Sequence, residues 1–325
     1  MTFSTPILLI TWRRPELTKR VIKVIRSVAP QRMYVASDGP SHGRSGEAEK
    51  VADTRAVITQ SIDWPCMLKQ QQSETNQGCR LAVSRAIDWF FAHEQEGIIL
   101  EDDCLPHPDF FSYCSALLEH YRHDTRIWSI CGSNFQQGHR RGDASYYFSI
   151  HGDSWGWASW RRAWIHYHPA EHSWIKFRDS SRLDDVFPIP QERNYWRSIL
   201  DELFLNRQPD SWDYQWWLAG WMNHALHAWP NQCLVSNLGF GDDGTHTFGA
   251  NAFAEIPLCE LGTLRHPEFI VPSRDADRYA FLHRRGGLEQ IHRANEGSLH
   301  AWRCRWRAMK RQGLLPYLAA KTSLL

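Results

Sequence analysis

Gly97-Ile98-Ile99-Leu100-Glu101-Asp102-Asp103-Cys104-Leu105-Pro106 changes character in a single step. Its apolar part is short, β-branched and preceded by glycine, the pattern of a buried strand. Three consecutive carboxylates follow at once. Adjacent acids repel one another, so a fold carries them cheaply only in water or around a cation. In an open parallel sheet, ligands bind just beyond the carboxyl ends of the strands. A hard ion such as Mn2+ or Mg2+ takes oxygen ligands and commonly shares them with phosphates. The stretch therefore reads as a metal–diphosphate site at the end of a buried strand. The plainer reading is an acidic surface turn.

The residues before it alternate strand and helix. Ile7 to Thr11 reads as the first strand, and Pro15 opens a helix, suited to the first helical position. Leu17, Val21, Val24, Ile25 and Val28 give that helix an apolar face. Met33 to Ala36 is a second strand, closed by the turn residues Ser37-Asp38-Gly39-Pro40. Ala48 to Ile62 reads as helix and Cys66 to Lys69 as a short strand. A helix starting near Asn76 would bury Leu81, Ala82, Ala86, Ile87, Phe90 and Phe91. Beyond the acids, Phe110 to Tyr121 is helical and Ile127 to Gly132 is a strand. Strands separated by helices imply parallel βαβ units, hence an α/β fold with a mostly parallel sheet flanked by helices.

Farther on the pattern changes. Ser154-Trp155-Gly156-Trp157-Ala158-Ser159-Trp160 reads as a turn into a short helix ending near His166. Asp179 to Pro190 reads as a loop, and His166, His168 and His172 as surface loop residues without metal-ligand spacing. Gln191 to Asn206 is a helix, and Ser211 caps the next, which carries Trp212, Asp213, Trp216, Trp217 and Trp221. Leu234-Val235 is a strand, followed by the glycine-rich loop Gly239 to Thr247.

Composition sets limits. A chain of 325 residues can bury a large core. A net charge of +1 gives no field favouring nucleic acid. Eight scattered cysteines without a C-x-x-C pair suggest reduced thiols and a cytoplasmic setting. No apolar run approaches the ~20 residues that span a bilayer. Seventeen tryptophans stand out. Some must be core, and their flat faces also suit sugar rings.

Four landmarks in order resemble the metal-dependent GT-A glycosyltransferases, nearest the N-acetylglucosaminyltransferase I group and bacterial sugar transferases of the same layout. They are the Pro6 to Trp12 strand with Arg13 and Pro15 after it, Asp38 after the second strand, the Glu101-Asp102-Asp103 triplet with Pro108-Asp109-Phe110-Phe111, and the later Trp155-Gly156-Trp157 and Trp212-Asp213 pieces. The resemblance covers roughly residues 6 to 250. It implies transfer of a sugar from a nucleoside-diphosphate sugar, UDP-linked, to a glycan or glycoconjugate acceptor. It implies dependence on Mn2+ or Mg2+ and inversion at the anomeric carbon. By the same resemblance Asp103 is the metal ligand, and Asp213 is the catalytic base. Thr11, Arg13, Asp38, Glu101 and Asp102 fall on the nucleotide-sugar side. The loop at Gly241 to Thr247 looks bacterial, so the expected acceptors include lipid-linked bacterial glycans.

Chemistry adds candidates. Asn76 and Arg80, in a turn entering a helix, could reach a diphosphate; equally, they are a capping Asn and a solvated Arg. Asp38 could hold uracil or ribose, or simply close an Asx-turn. His246, beside Asp242 and Asp243, could complete a metal shell or be solvated. The expected organisation is a nucleotide-sugar half (1–125), an acceptor half (126–265) and a helical C-terminal extension (266–325). In that extension His300 to Arg311 would place Trp302, Trp306 and Met309 opposite Arg303, Arg307, Lys310 and Arg311. Such a helix docks on the catalytic domain or lies peripherally on a membrane. Two other classes stay open: a nucleotidyltransferase acting on sugar phosphates, and a non-catalytic Trp-rich carbohydrate-binding protein. Trp12-Arg13-Arg14-Pro15 lacks the glycines usual in the first, and the second would not need the acidic triplet.

Overall fold

The strand Ile7–Thr11 (β1) is buried along its whole length, and its alternate side chains go to opposite cores. Ile7 and Leu9 join one hydrophobic cluster, Leu8 and Ile10 the other. The same division holds for Ile98 and Leu100 against Ile99 in the strand Glu96–Glu101. A strand buried on both faces reads as a continuous apolar run, as these do. The computed structural model describes residues 3–167, 171–207, 210–240 and 253–288.

The elements of the first half follow in order: α1 (Pro15–Val28), β2 (Arg32–Ser37), α2 (Glu47–Ser61), β3 (Met67–Gln72), α3 (Cys79–His93), β4 (Glu96–Glu101), β5 (Cys104–Pro106) and α4 (Pro108–His120). The second half has β6 (Ile127–Cys131), β7 (Tyr146–Ser149), β8 (Trp157–Trp160), α5 (Arg161–Trp164), α6 (Glu171–Asp179), α7 (Arg182–Val186), α8 (Pro190–Leu205), α9 (Asp213–Met222), β9 (Leu226–Pro230), β10 (Val235–Asn237) and α10 (Arg274–Arg284). Eight strands form one sheet in the order β3-β2-β1-β4-β8-β6-β9-β7, and β5 pairs with β10 in a second, two-stranded sheet. β3, β2, β1 and β4 are mutually parallel, and β6 and β9 are parallel to each other. β8 and β7 run against their neighbours. The fold is thus mixed α/β with a mostly parallel sheet flanked by helices, and the sheet continues unbroken from the first half into the second.

Helices α1 and α4 pack on one face, with Val21, Ile22, Ile25, Phe110, Phe111, Leu117 and Leu118 buried. The other face carries α3, α5, α8 and α9 and most of the tryptophans. Trp157, Trp160, Trp174, Trp196 and Trp216 are fully buried. Trp157 and Trp164 lie at centroid distances of 5.3–6.3 Å from each other and from Trp212 and Trp216. Indole rings bury large area and gain from such edge and offset contacts. Most of the tryptophans are therefore core, and none of those described is exposed.

Several expectations need correction. Residues 157–160 form strand β8 rather than the start of a helix, because the Trp155-Gly156 turn feeds straight into the sheet. Gly156 sits at φ +65° and an added Cβ would lie 2.8 Å from Val235, so only glycine fits the turn. The 179–190 stretch is not all loop, since it holds α7. His172 lies in α6. Leu81 is exposed while Val83 takes its place on the buried face of α3, which starts at Cys79. β3 extends to Gln72 as a polar edge strand, where period-two burial leaves no signal.

Candidate active site

The parallel strands β1, β2 and β4 end on one edge, so the loops after Thr11, Ser37 and Glu101 converge. From β1 the chain winds outward through β2 to β3. β4 then returns to the other side of β1. The gap between the β1 and β4 ends is therefore the topological switch point, where open α/β sheets form their crevice.

Arg14 and the acidic triplet fill this gap. Arg14 donates from one guanidinium nitrogen to Asp102 Oδ1 at 3.1 Å and to Asp103 Oδ2 at 2.6 Å. The Trp12 amide donates to Asp102 Oδ2 at 3.0 Å. Burial pushes the Asp102 carboxyl up to about 6, against the pull of Arg14 and with the push of Asp103. Glu101 is driven well above the ordinary carboxylate range, first by desolvation and then by Asp103 and Asp102. Leu238, just after β10, donates its amide to the Asp103 carbonyl at 2.8 Å. At Gly239 an added Cβ would lie 2.2 Å from Asp103 Oδ2. The second sheet thus presses backbone directly onto the acidic turn.

The rim on the β2 side is tightly bonded. Asp38 accepts from the amides of Gly39 (2.9 Å) and Gln77 (3.1 Å) and from the Asn76 side chain (2.8 Å). Arg13 donates to Glu47 at 2.6 Å and lies 4.1 Å over the Trp12 ring. Trp12 Nε1 donates to the Gly39 carbonyl at 2.9 Å. Arg55 donates to the carbonyls of Asp38 and Ser73. Gly39 must be glycine, since a Cβ would come within 2.5 Å of the Thr75 backbone. Thr11 turns its hydroxyl toward the Ala36 carbonyl at 3.4 Å. Arg80 faces Asp210 at 3.6 Å.

Asp213 is the first residue of α9. Ser211 does not cap this helix; its hydroxyl donates to Asp213 Oδ1, which also accepts from the Tyr214 amide at 3.0 Å. Asp213 Oδ2 accepts no hydrogen bond from the described residues. Burial holds the Asp213 carboxyl above its ordinary range, against the pull of the Ser211 hydroxyl and Arg285. Glu101 and Asp213 feel each other's charge, and both press on the Cys79 thiol, which burial pushes up further. Trp212 also stacks on Trp157 at 5.6 Å, and Trp157 pairs with Ile99 of β4, so the start of α9 lies beside the strand that carries the triplet.

The structure gathers Thr11, Arg13, Asp38, Asn76, Glu101, Asp102, Asp103 and Asp213 around this crevice, with Arg80 beside them. His246, Asp242, Asp243 and the 300–311 segment lie outside the described residues, as does His168. Sequence reading passed over Arg14, Glu47, Gln77 and Arg285. The one available signal was the Arg13-Arg14 pair at the end of a first strand. Among the described residues no three His, Cys, Asp or Glu side chains converge as a metal-binding group. The acidic turn can still take a hard cation as a shared ligand. Asp103 Oδ1 meets only the weak Cys104 thiol at 3.5 Å, and the remaining ligands of such an ion are commonly phosphate and water. No helix among the described residues is long and apolar enough to cross a membrane.

The sequence matches no protein-family model and no curated protein. Solved structures with a partly similar fold include a UDP-glucose pyrophosphorylase complexed with UDP-glucose, 9% identical over 50% of this chain and 78% of that one, with a TM-score of 0.30. The mannosyltransferase PcManGT from Pyrobaculum calidifontis, in complex with GDP-Man and Mn2+, is 10% identical over 68% of this chain and 70% of that one, with a TM-score of 0.36. The 4-diphosphocytidyl-2C-methyl-D-erythritol synthase from Anaerococcus prevotii is 8% identical over 57% and 85%, with a TM-score of 0.31. These likenesses concern the general α/β layout alone.

Proposed function

We propose that the protein is a glycosyltransferase that moves a hexosyl or N-acetylhexosaminyl group from a UDP-sugar to an acceptor hydroxyl, with inversion. One observation carries the reading. The acidic turn follows β4 at the switch point, and Asp213 opens a helix whose preceding Trp212 stacks on Trp157, the residue paired with Ile99 of β4, so both carboxylate sites belong to one end of the sheet. A donor-side cation site that holds the diphosphate through a metal and an acceptor-side base are the two parts that the reaction needs.

Asp103 would hold Mn2+ or Mg2+ together with the diphosphate of the donor. The ion supplies neutralisation of the charge that builds on the leaving diphosphate. Asp213 Oδ2 is free to take the proton of the acceptor hydroxyl as its oxygen bonds to the anomeric carbon. The bond from that carbon to the diphosphate oxygen breaks at the same time, and UDP leaves. Ser211 and the Tyr214 amide fix the other oxygen, so the base is oriented before the acceptor arrives. A carboxyl held above its ordinary range is a stronger base, the direction that general-base catalysis calls for.

Thermal denaturation tests the donor half of this reading. UDP with Mn2+ should raise the melting temperature in proportion to saturation, and neither alone should match the pair. Product analysis by NMR on a UDP-sugar panel tests the rest. An inert panel, with no shift from UDP and Mn2+, rules the reading out.

A further inference from the structure

Helix α10 ends at Arg284, Arg285 is its C-cap, and Gly286 (φ +70°) then reverses the chain. Gly287 packs so close to the Phe281 ring that a Cβ would lie 2.7 Å from it. The turn therefore drives both arginines back onto the body of the protein. Their situations differ. Arg284 is largely buried, pairs with Asp153 at 2.9 Å and lies 3.4 Å over the Phe135 ring. Its charge is answered. Arg285 lies 4.6 Å over the Trp196 ring and 4.5 Å over the Trp217 ring. Among the described residues it forms no ion pair. Trp217 lies about one turn along α9 from Asp213, and its ring is 5.0 Å from that of Tyr214, so Arg285 sits against the first turns of α9, where its charge favours ionisation of Asp213.

Indole faces attract a guanidinium through the ring quadrupole but do not neutralise it. The two indole planes stand 80° apart, so the guanidinium can lie flat on only one of them, and its N–H donors make no hydrogen bond among the described residues. An unanswered, partly desolvated cation beside the base also works against that base, because it favours the ionised form of Asp213. An anion bound to Arg285 would remove that opposition and satisfy the donors in bidentate fashion.

We propose that Arg285 is a specificity-determining residue that binds an anionic substituent, carboxylate or phosphate, on the acceptor. The proposal rests on the glycosyltransferase reading and names the acceptor class of the same site. It gives the region after residue 266 a part in acceptor selection.

The test uses the full chain with UDP and Mn2+ present, so that phosphate probes do not report on the donor side. Methyl β-D-glucuronide, glucose 6-phosphate and neutral methyl β-D-glucoside are titrated by calorimetry. One acidic probe should bind at least tenfold more tightly than the neutral sugar, and which of the two does so distinguishes a uronate from a phosphate. Arg285→Gln should bring all three to parity with the response to UDP and Mn2+ unchanged. Arg285→Lys should keep part of the preference. A wild type that responds to UDP and Mn2+ yet treats the three sugars alike overturns the proposal, as does a preference that survives in Arg285→Gln. Loss of the nucleotide response in Arg285→Gln also overturns it, since the arginine then serves the donor diphosphate. A wild type indifferent to UDP and Mn2+ instead defeats the transferase reading itself.

Discussion

Asp102 and Asp213 are both carboxylates held above their ordinary range by burial, yet their surroundings answer charge in opposite ways. Asp102 sits in a clamp. Arg14 bridges it to Asp103, and the Trp12 amide takes its other oxygen. Asp213 sits near an aromatic wall, with a hydroxyl and an amide on one oxygen; Arg285 lies over the rings of that wall, and Arg284 pairs with Asp153. The first arrangement stores negative charge where a cation and diphosphate would arrive. The second keeps a carboxylate basic and one oxygen open. The difference separates holding from proton transfer, and it can be broken from either side.

The largest effect is expected at the holding site. Asp103→Ala should abolish transfer to the limit of detection and remove the melting-temperature shift given by UDP with Mn2+. The fold should survive, because Asp103 lies in a turn and packs little apolar surface. Full activity of this variant in excess chelator would reject the assignment.

Next comes the base. Asp213→Asn keeps the shape and the Tyr214 contact but cannot accept a proton. We expect kcat to fall by ~10²-fold or more while UDP binding is kept. Equal losses in kcat and in UDP binding would instead place Asp213 on the donor side.

The clamp itself is a stability test. Arg14→Met leaves Asp102 and Asp103 without their cation in a partly buried setting, at a cost of about 2–3 kcal/mol in urea denaturation, below the range for a fully buried pair. Adding Asp102→Asn should recover part of that loss, because the stranded charge is halved. A double variant no more stable than Arg14→Met alone would mean that Arg14 stabilises through packing.

The two regions also differed in how far the sequence revealed them. β1, α1, β2 and α2 lie within about a residue of their expected bounds, and α4 starts at Pro108 rather than Phe110. There, proline, glycine and helical periodicity mark the ends. β8 was hidden because Trp157 and Ala158 face opposite cores, so no polar face shows the period of two. The acidic turn was legible as a site because charge after an apolar run is a local signal. Its clamp was not, since Arg14 and Asp102 are 88 residues apart and meet only through the β1–β4 pairing. Asp213 was reachable through resemblance alone, and Arg285 lies beyond the span which that resemblance covered.

The smallest expected effect is in pH dependence, and it bears directly on the contrast. Asp213 must be ionised to act, so kcat should fall as pH drops through its raised range, above where an ordinary aspartate titrates. The groups acting on it are the Ser211 hydroxyl and Arg285, which favour ionisation, and Asp153 and Glu101, which oppose it. Removing Arg285 takes away one stabiliser of the charged form, so the acid limb of kcat should move to higher pH in Arg285→Gln. Stability carries the opposite sign. A carboxyl whose folded-state range is raised binds more protons folded than unfolded across that window, so its ionisation costs stability as pH rises. Asp213→Asn should therefore be more stable than the wild type at neutral pH, and the gain should vanish below the ordinary carboxylate range. Arg14→Met should leave the acid limb nearer its wild-type position than Arg285→Gln does. If Arg14→Met moves it more, the two carboxylate sites are one electrostatic unit, and the division between holding and proton transfer fails.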